Sequence, residues 1–184
     1  IYLFDETPLS FGSGALEHSF STVVTIPEQG IDRISSQIVS IVAHEFFHII
    51  TPLTIHSEEI HNFDFQNPKM SKHLWLYEGL TEYAAGHVLL KEGLIDFENY
   101  LQLMRSKIRA SKSAFMDTLS FTEMSKGCLD EYSDQFPNVY LKGPLIGMCL
   151  DIKLREYSEG EYGTQEMLKD LSNIYGKDQP FEDD

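Results

Sequence analysis

The stretch Ile41-Val42-Ala43-His44-Glu45-Phe46-Phe47-His48-Ile49-Ile50 constrains this chain more than any other. It is an apolar run interrupted by the pattern H-E-x-x-H. Residues four apart on an α-helix share a face, with their Cβ atoms about 5–6 Å apart. His44 and His48 can therefore bind one zinc ion from a single helix, with Glu45 placed as general base toward a water at the metal. The flanking pattern supports that helix. Apolar residues at 31, 34, 38, 41, 42, 46 and 49 recur at helical spacing, so a helix is predicted from Ile31 to Ile50, ended by Pro52.

A buried helix with two ordinary histidines would carry the same five letters, so the rest of the chain has to supply the missing chemistry. A catalytic zinc site takes three protein ligands and keeps one position open. Trp75-Leu76-Tyr77-Glu78-Gly79-Leu80-Thr81-Glu82-Tyr83 sets a carboxylate in an otherwise apolar helical stretch. An unpaired carboxylate there is costly and a dication would pair it, which makes Glu78 the third ligand. Glu82 lies one turn further along the same face. It is the candidate to accept a hydrogen bond from the free N–H of a ligand histidine, with a solvated surface position as its alternative. His18, His56, His61, His73 and His87 have no ligand spacing among themselves and read as surface or structural histidines.

Residues 1–30 lean toward β structure, with strand-like runs at Ile1 to Phe4 and Thr22 to Ile26, the second closed by Pro27. Between them, Phe11 to His18 has glycines suited to a turn or a close backbone approach. Residues 31–176 are helical in character. After a long polar connection over 51–72, helices are predicted from His73 to Leu90, from Phe97 to about Ala110, from about Val139 to Tyr157 and from Thr164 to Tyr175. The second of these shows apolar residues at 97, 101, 104 and 108, and Ser120-Phe121-Thr122-Glu123 is a further helix-start signal. The fold class is therefore α+β, mainly helical with a short N-terminal β portion, in one domain. An acidic tail over 177–184 reads as solvated.

Composition excludes some partners. Among 184 residues the net charge is −15, which repels phosphate backbones and argues against nucleic acid. No apolar run reaches the length of a transmembrane helix. The two cysteines, Cys128 and Cys149, make neither a disulfide framework nor a zinc knuckle, and Cys149 is expected to be buried. The chain begins at Ile1 without Met and reads as a fragment.

H-E-F-F-H, followed thirty residues after His48 by Glu78 in L-W-L-Y-E-G-L-T-E-Y, resembles the glycyl aminopeptidase family of zinc metallopeptidases. Two more stretches carry the resemblance. Gly14-Ala15-Leu16-Glu17-His18-Ser19-Phe20-Ser21-Thr22 is similar to the family's G-G-L-E-H-x-x-S-T segment. Tyr140-Leu141-Lys142-Gly143-Pro144-Leu145 is similar to its Y-x-K-G-A-L segment. The resemblance implies a gluzincin with a thermolysin-like catalytic domain, related to the alanyl-type aminopeptidases, and one zinc per chain. It further implies that Glu17 binds the α-ammonium of a peptide substrate and that Tyr140 stabilises the transition-state oxyanion.

Family members also commonly carry a β domain before this region and a PDZ domain after it. Similar proteins are often bacterial and exported, which suggests the periplasm or cell envelope. Two departures stand out: Ile49 to His56 lacks the family's tryptophan-asparagine and basic run, and Pro144 replaces alanine. They leave substrate preference open, because the loop after His48 could line a specificity pocket. The alternatives to an aminopeptidase are a zinc endopeptidase and an inactive peptide-binding module that retains the zinc site.

Overall fold

The computed structural model describes residues 1–8 and 12–182. Three strands form a small sheet in the order β1 (Tyr2–Thr7), β3 (Thr22–Pro27), β2 (Gly14–Glu17). β1 runs parallel to β3, pairing Tyr2 with Thr22 through Thr7 with Pro27. β2 is antiparallel to β3, pairing Gly14 with Thr25 through Glu17 with Thr22. The β-branched alternation in β3 explains its central place: Thr22, Val24 and Ile26 point inward and are buried. Within the glycine-bearing stretch suited to a turn or a close backbone approach, Gly14 to Glu17 is an edge strand. Its residues gain a full ladder on β3, and the left-handed turn falls earlier, at Gly12 with φ +69°. Phe11, in the same expectation, lies outside the described residues.

Helix α1 (Ile31–Phe47) packs against β2. The Tyr2 hydroxyl donates to the carbonyl of Val42 at 3.3 Å, and Gln37 donates to Ser13 at 2.8 Å. α1 stops three residues before the sequence expectation. Pro52 has no N–H, and the Thr51 carbonyl turns to accept from His48 Nδ1 at 2.8 Å, so the chain leaves in tight turns after His48. The apolar periodicity located the helix but not the face it buries. Within α1 the buried residues are His44 and Glu45, whereas Ile31, Val39 and Phe46 are exposed.

The connection over 51–72 contains a short helix, α2 (Glu58–His61), and is tied to the core by polar bonds. Ser57 N–H donates to the Tyr77 hydroxyl at 2.9 Å, Ser57 Oγ to Ser71 Oγ at 3.0 Å, and Ser125 Oγ to the Ser71 carbonyl at 2.6 Å. In the loop after His48, Thr51, Ile55 and His56 are buried, Ile49 is exposed, and Ile50, Pro52, Leu53 and Thr54 are half-buried. The helix expected from His73 to Leu90 is two segments. Trp75–Leu80 is a π-helix, with i→i+5 bonding, and α3 (Thr81–Lys91) continues it. Around the π-helix lies the core of Ile55, Leu74, Leu76, Tyr77, Leu80, Tyr83, Met124, Cys128 and Val139.

Helix α4 (Phe97–Ala114) starts at Asp96, whose carboxylate accepts from the N–H of Asn99 at 2.7 Å. It buries Tyr100, Met104, Lys107 and Ser111, one helical stripe, while Phe97, Leu101 and Ile108 of the predicted stripe are exposed. α5 (Phe121–Lys126) begins at the predicted start signal, with Ser120 accepting from the N–H of Glu123.

A 3₁₀-helix over Ser133–Tyr140 leads into α6 (Lys142–Tyr157), so the regular helix begins three residues later than Val139. Pro144 sits in its first turn, where a missing N–H costs nothing. α7 (Thr164–Ile174) follows. Cys128 is buried, but Cys149 is exposed on the outer side of α6, contrary to expectation.

The expected solvated tail is also partly docked. Phe181 N–H donates to the His56 carbonyl at 3.0 Å, the Phe181 carbonyl accepts from Glu58 N–H, and its ring packs on His73 and Tyr175. Glu182 is exposed, and Asp183 and Asp184 lie outside the described residues. Among the described residues no helix is long and apolar enough to cross a membrane.

Candidate metal centre and active site

The site forms where α1 meets the π-helix and α3. His44 and His48 project from one face of α1 and its final turn, with ring centroids 4.7 Å apart and planes nearly perpendicular. Glu78 comes from the π-helix: its Oε2 lies 3.2 Å from Nε2 of His44 and 3.8 Å from Nε2 of His48. Glu82, one turn on, places Oε2 2.9 Å from Nδ1 of His44. One ligand atom from each of His44, His48 and Glu78 falls within 4.8 Å of the others, as the donors of one ion must.

The outer nitrogens decide what the inner ones can do. His48 Nδ1 faces a carbonyl, which only accepts, so that nitrogen carries the proton and Nε2 keeps its lone pair for the centre. His44 Nδ1 likewise faces a carboxylate. Burial opposes protonation of His44, but the bonds and charges of Glu78 and Glu82 outweigh it and raise its pKa to about 10. The His44 ring lies between the two carboxylates, Nε2 3.2 Å from Glu78 and Nδ1 2.9 Å from Glu82. Glu78 and Glu82 are buried enough to resist ionisation, yet both are held below the ordinary carboxylate range. The His44 bond acts on Glu78, and the His44 and Lys107 bonds act on Glu82.

Glu45 is buried, and its Oε2 has no hydrogen-bond partner among the described residues. Burial pushes its pKa up, the histidines pull it down, and the Glu17 and Glu78 charges push it up again, leaving it raised. Glu17, half-buried on edge strand β2, brings a carboxylate oxygen within 4.8 Å of ligand atoms of Glu45 and His48. Tyr140, at the end of the 3₁₀-helix, has its ring 5.8 Å from that of His44, and its hydroxyl is bonded to Glu78. Burial and the surrounding carboxylates raise its pKa well above the ordinary phenol value, so it stays a proton donor.

The residues present fit a zinc ion. Two imidazoles with anchored Nδ1 atoms turn their Nε2 atoms to one carboxylate, an N₂O donor set of the kind zinc takes in catalytic sites. The orphaned, buried oxygen of Glu45 stands beside that set and needs a polar partner.

Every residue singled out from sequence therefore gathers at one place: Glu17, His44, Glu45, His48, Glu78, Glu82 and Tyr140. Sequence reasoning missed Lys107 of α4, whose Nζ donates to Glu82 Oε1 and to the Tyr140 carbonyl, each at 2.8 Å. In the folded helix Lys107 shares its buried stripe with Tyr100, Met104 and Ser111, a face marked by only Met104 among the apolar residues 97, 101, 104 and 108. The other histidines stand apart: His56 Nε2 is 3.0 Å from His61 Nδ1, and His87 stacks on Tyr83.

The chain belongs to the M61 glycyl aminopeptidase family, whose model matches residues 37–146. That span takes in α1 from Gln37 onward, His44, Glu45 and His48, and Glu78, Glu82, Lys107 and Tyr140. The chain is also similar to the crystal structure of an aminopeptidase N family protein from Idiomarina loihiensis. The two are 26% identical with a TM-score of 0.78 over 96% of this chain and 32% of that one. This chain thus spans about a third of that protein's length. No curated protein matches the sequence.

Proposed function

We propose that this chain is a zinc-dependent catalytic domain of thermolysin-like design that hydrolyses peptides from their amino end. The observation that carries the reading is the placement of Glu45. It is a buried carboxylate with a raised pKa and a free oxygen, set between a His44–His48–Glu78 donor triad and a second carboxylate, Glu17. His44, His48 and Glu78 would hold the zinc, which when bound supplies a Lewis acid for the scissile carbonyl and lowers the pKa of a coordinated water.

The rest is done by the chain's own groups. Glu45 takes a proton from the attacking water and passes it to the leaving amine; its buried oxygen without a protein partner is free to hold that proton between the two. Tyr140 donates its phenolic hydrogen to the oxygen that gains charge in the transition state. Glu17, on the edge strand, accepts from the substrate's α-ammonium, and its negative charge selects a free amino terminus.

The test is hydrolysis of a peptide series by the full-length protein, each peptide offered free and N-acetylated, with and without a zinc chelator. The expected result is chelator-sensitive cleavage that acetylation reduces by at least about tenfold, corresponding to one lost charge-assisted contact of about 1.5–3 kcal/mol. Equal cleavage of acetylated peptides would make the protein an endopeptidase. A zinc-loaded protein that cleaves none of them would make the domain a binding module.

A further inference from the structure

We propose that Lys107 is a positioning residue of this centre, one ammonium group that orients Glu82 toward His44 and fixes Tyr140 beside it. The inference rests on the zinc-peptidase reading of the site. Lysines are rarely buried unless paired, and Lys107 is only 7% exposed. Its stem leaves the buried stripe of α4 and its Nζ is satisfied by two acceptors, Glu82 Oε1 and the Tyr140 carbonyl, both at 2.8 Å.

Neither partner is a bystander. The Glu82 carboxylate is divided: Oε1 takes the ammonium and Oε2 faces His44 Nδ1 at 2.9 Å. A carboxylate is planar, so anchoring one oxygen fixes the direction of the other, and with it the rotation of the His44 ring. That rotation determines where Nε2 points. The second acceptor lies on the backbone of Tyr140, where the 3₁₀-helix gives way to α6. Holding that carbonyl fixes the Cα from which the phenol reaches the centre. One donor from α4 therefore sets a metal ligand on α1, through α3, and an oxyanion donor on a fourth segment.

The two ends predict separable effects in Lys107→Met and Glu82→Gln, prepared in the full-length protein. Zinc affinity is read by chelator competition, and kcat and KM are read at saturating zinc. Both variants are expected to weaken zinc by about 10–100-fold, and the double variant to weaken it no further than Glu82→Gln alone. At saturating zinc, Lys107→Met alone is expected to lower kcat a further tenfold or so with KM little changed, because only that change frees the Tyr140 carbonyl.

The cobalt-substituted Lys107→Met protein should show an altered visible spectrum. Unchanged zinc affinity and kcat in Lys107→Met, or fully additive effects in the double variant, would overturn the proposal. Should Lys107→Met fail to fold, Lys107→Gln, whose shorter, uncharged side chain cannot reach both acceptors, carries the same comparison. A wild-type protein that binds no zinc or cleaves nothing would instead sink the functional reading itself.

Discussion

Gly79 and Gly143 meet backbone to backbone. A Cβ on Gly79 would come within 2.8 Å of the Gly143 Cα, and one on Gly143 within 2.7 Å of the Gly79 Cα. The contact joins the residue after Glu78 to the residue three beyond Tyr140, so it sets the spacing between a proposed metal ligand and a proposed oxyanion donor.

Gly143→Ala should force the π-helix and α6 apart. We expect a loss of about 1–3 kcal/mol of stability from overpacking, together with weaker zinc binding and lower activity. Gly176→Ala is the control: a Cβ there meets nothing within 4 Å, and its effect should stay within about 0.5 kcal/mol. Urea denaturation of the two variants checks the contrast.

Metal removal should lower stability without unfolding the chain, because the core around the π-helix is independent of the donor triad. With free zinc at a thousand times its dissociation constant, binding adds about 4 kcal/mol. A chelator should therefore lower the melting temperature, and zinc should restore it. Glu78→Gln and His48→Ala should melt at one temperature with and without chelator.

Glu45→Gln removes the base and keeps the ligands. Zinc content should remain near one per chain, while kcat falls by about 10²–10⁴. Metal analysis beside a single-turnover assay separates this outcome from simple loss of the ion.

Asp151 predicts a pH effect remote from the site. It accepts from the Tyr83 hydroxyl at 3.0 Å, from Arg155 Nε at 3.0 Å, and from Thr164 N–H and Oγ at 2.6 and 2.9 Å. Burial opposes its ionisation, but these bonds outweigh burial and hold its pKa below the ordinary 3.8. A group with a depressed folded-state pKa stabilises the fold above its unfolded value and loses that contribution as pH falls through the folded one. Stability should therefore drop as pH falls below about 4, with α7 released first. Asp151→Asn should cost about 2–3 kcal/mol at neutral pH and flatten that acid-side slope. Denaturation midpoints between pH 2 and pH 7 test both statements.

The centre was legible in the sequence to the extent that metal chemistry has fixed spacings. Two histidines four apart and an acid inside an apolar helix point inward for reasons that hold in any fold, and Glu17 and Tyr140 followed from ordered motif resemblance. Helix faces were harder to read. In α1 and α4 the apolar residues announced the helical period, but the inward faces carry His44 and Glu45 in one and Lys107 in the other. A polar centre buries polar residues, and there a hydrophobic pattern points the wrong way. Lys107 stayed hidden because its partners are 25 and 33 residues away, a relation made only by the packing of α4.

The π-helix over Trp75–Leu80 gives the centre a dependence on length as well as on residue identity. Its i→i+5 bonding accommodates one residue more per turn than an α-helix would. Deleting one residue between Glu78 and Thr81 would restore ordinary winding and bring the two acids from four residues apart to three. Acids three apart still share a helix face, but the present pairing of Glu78 with Nε2 and Glu82 with Nδ1 of His44 is made at a separation of four. The geometry of the proposed centre therefore depends on the length of this segment, not only on which residues it carries.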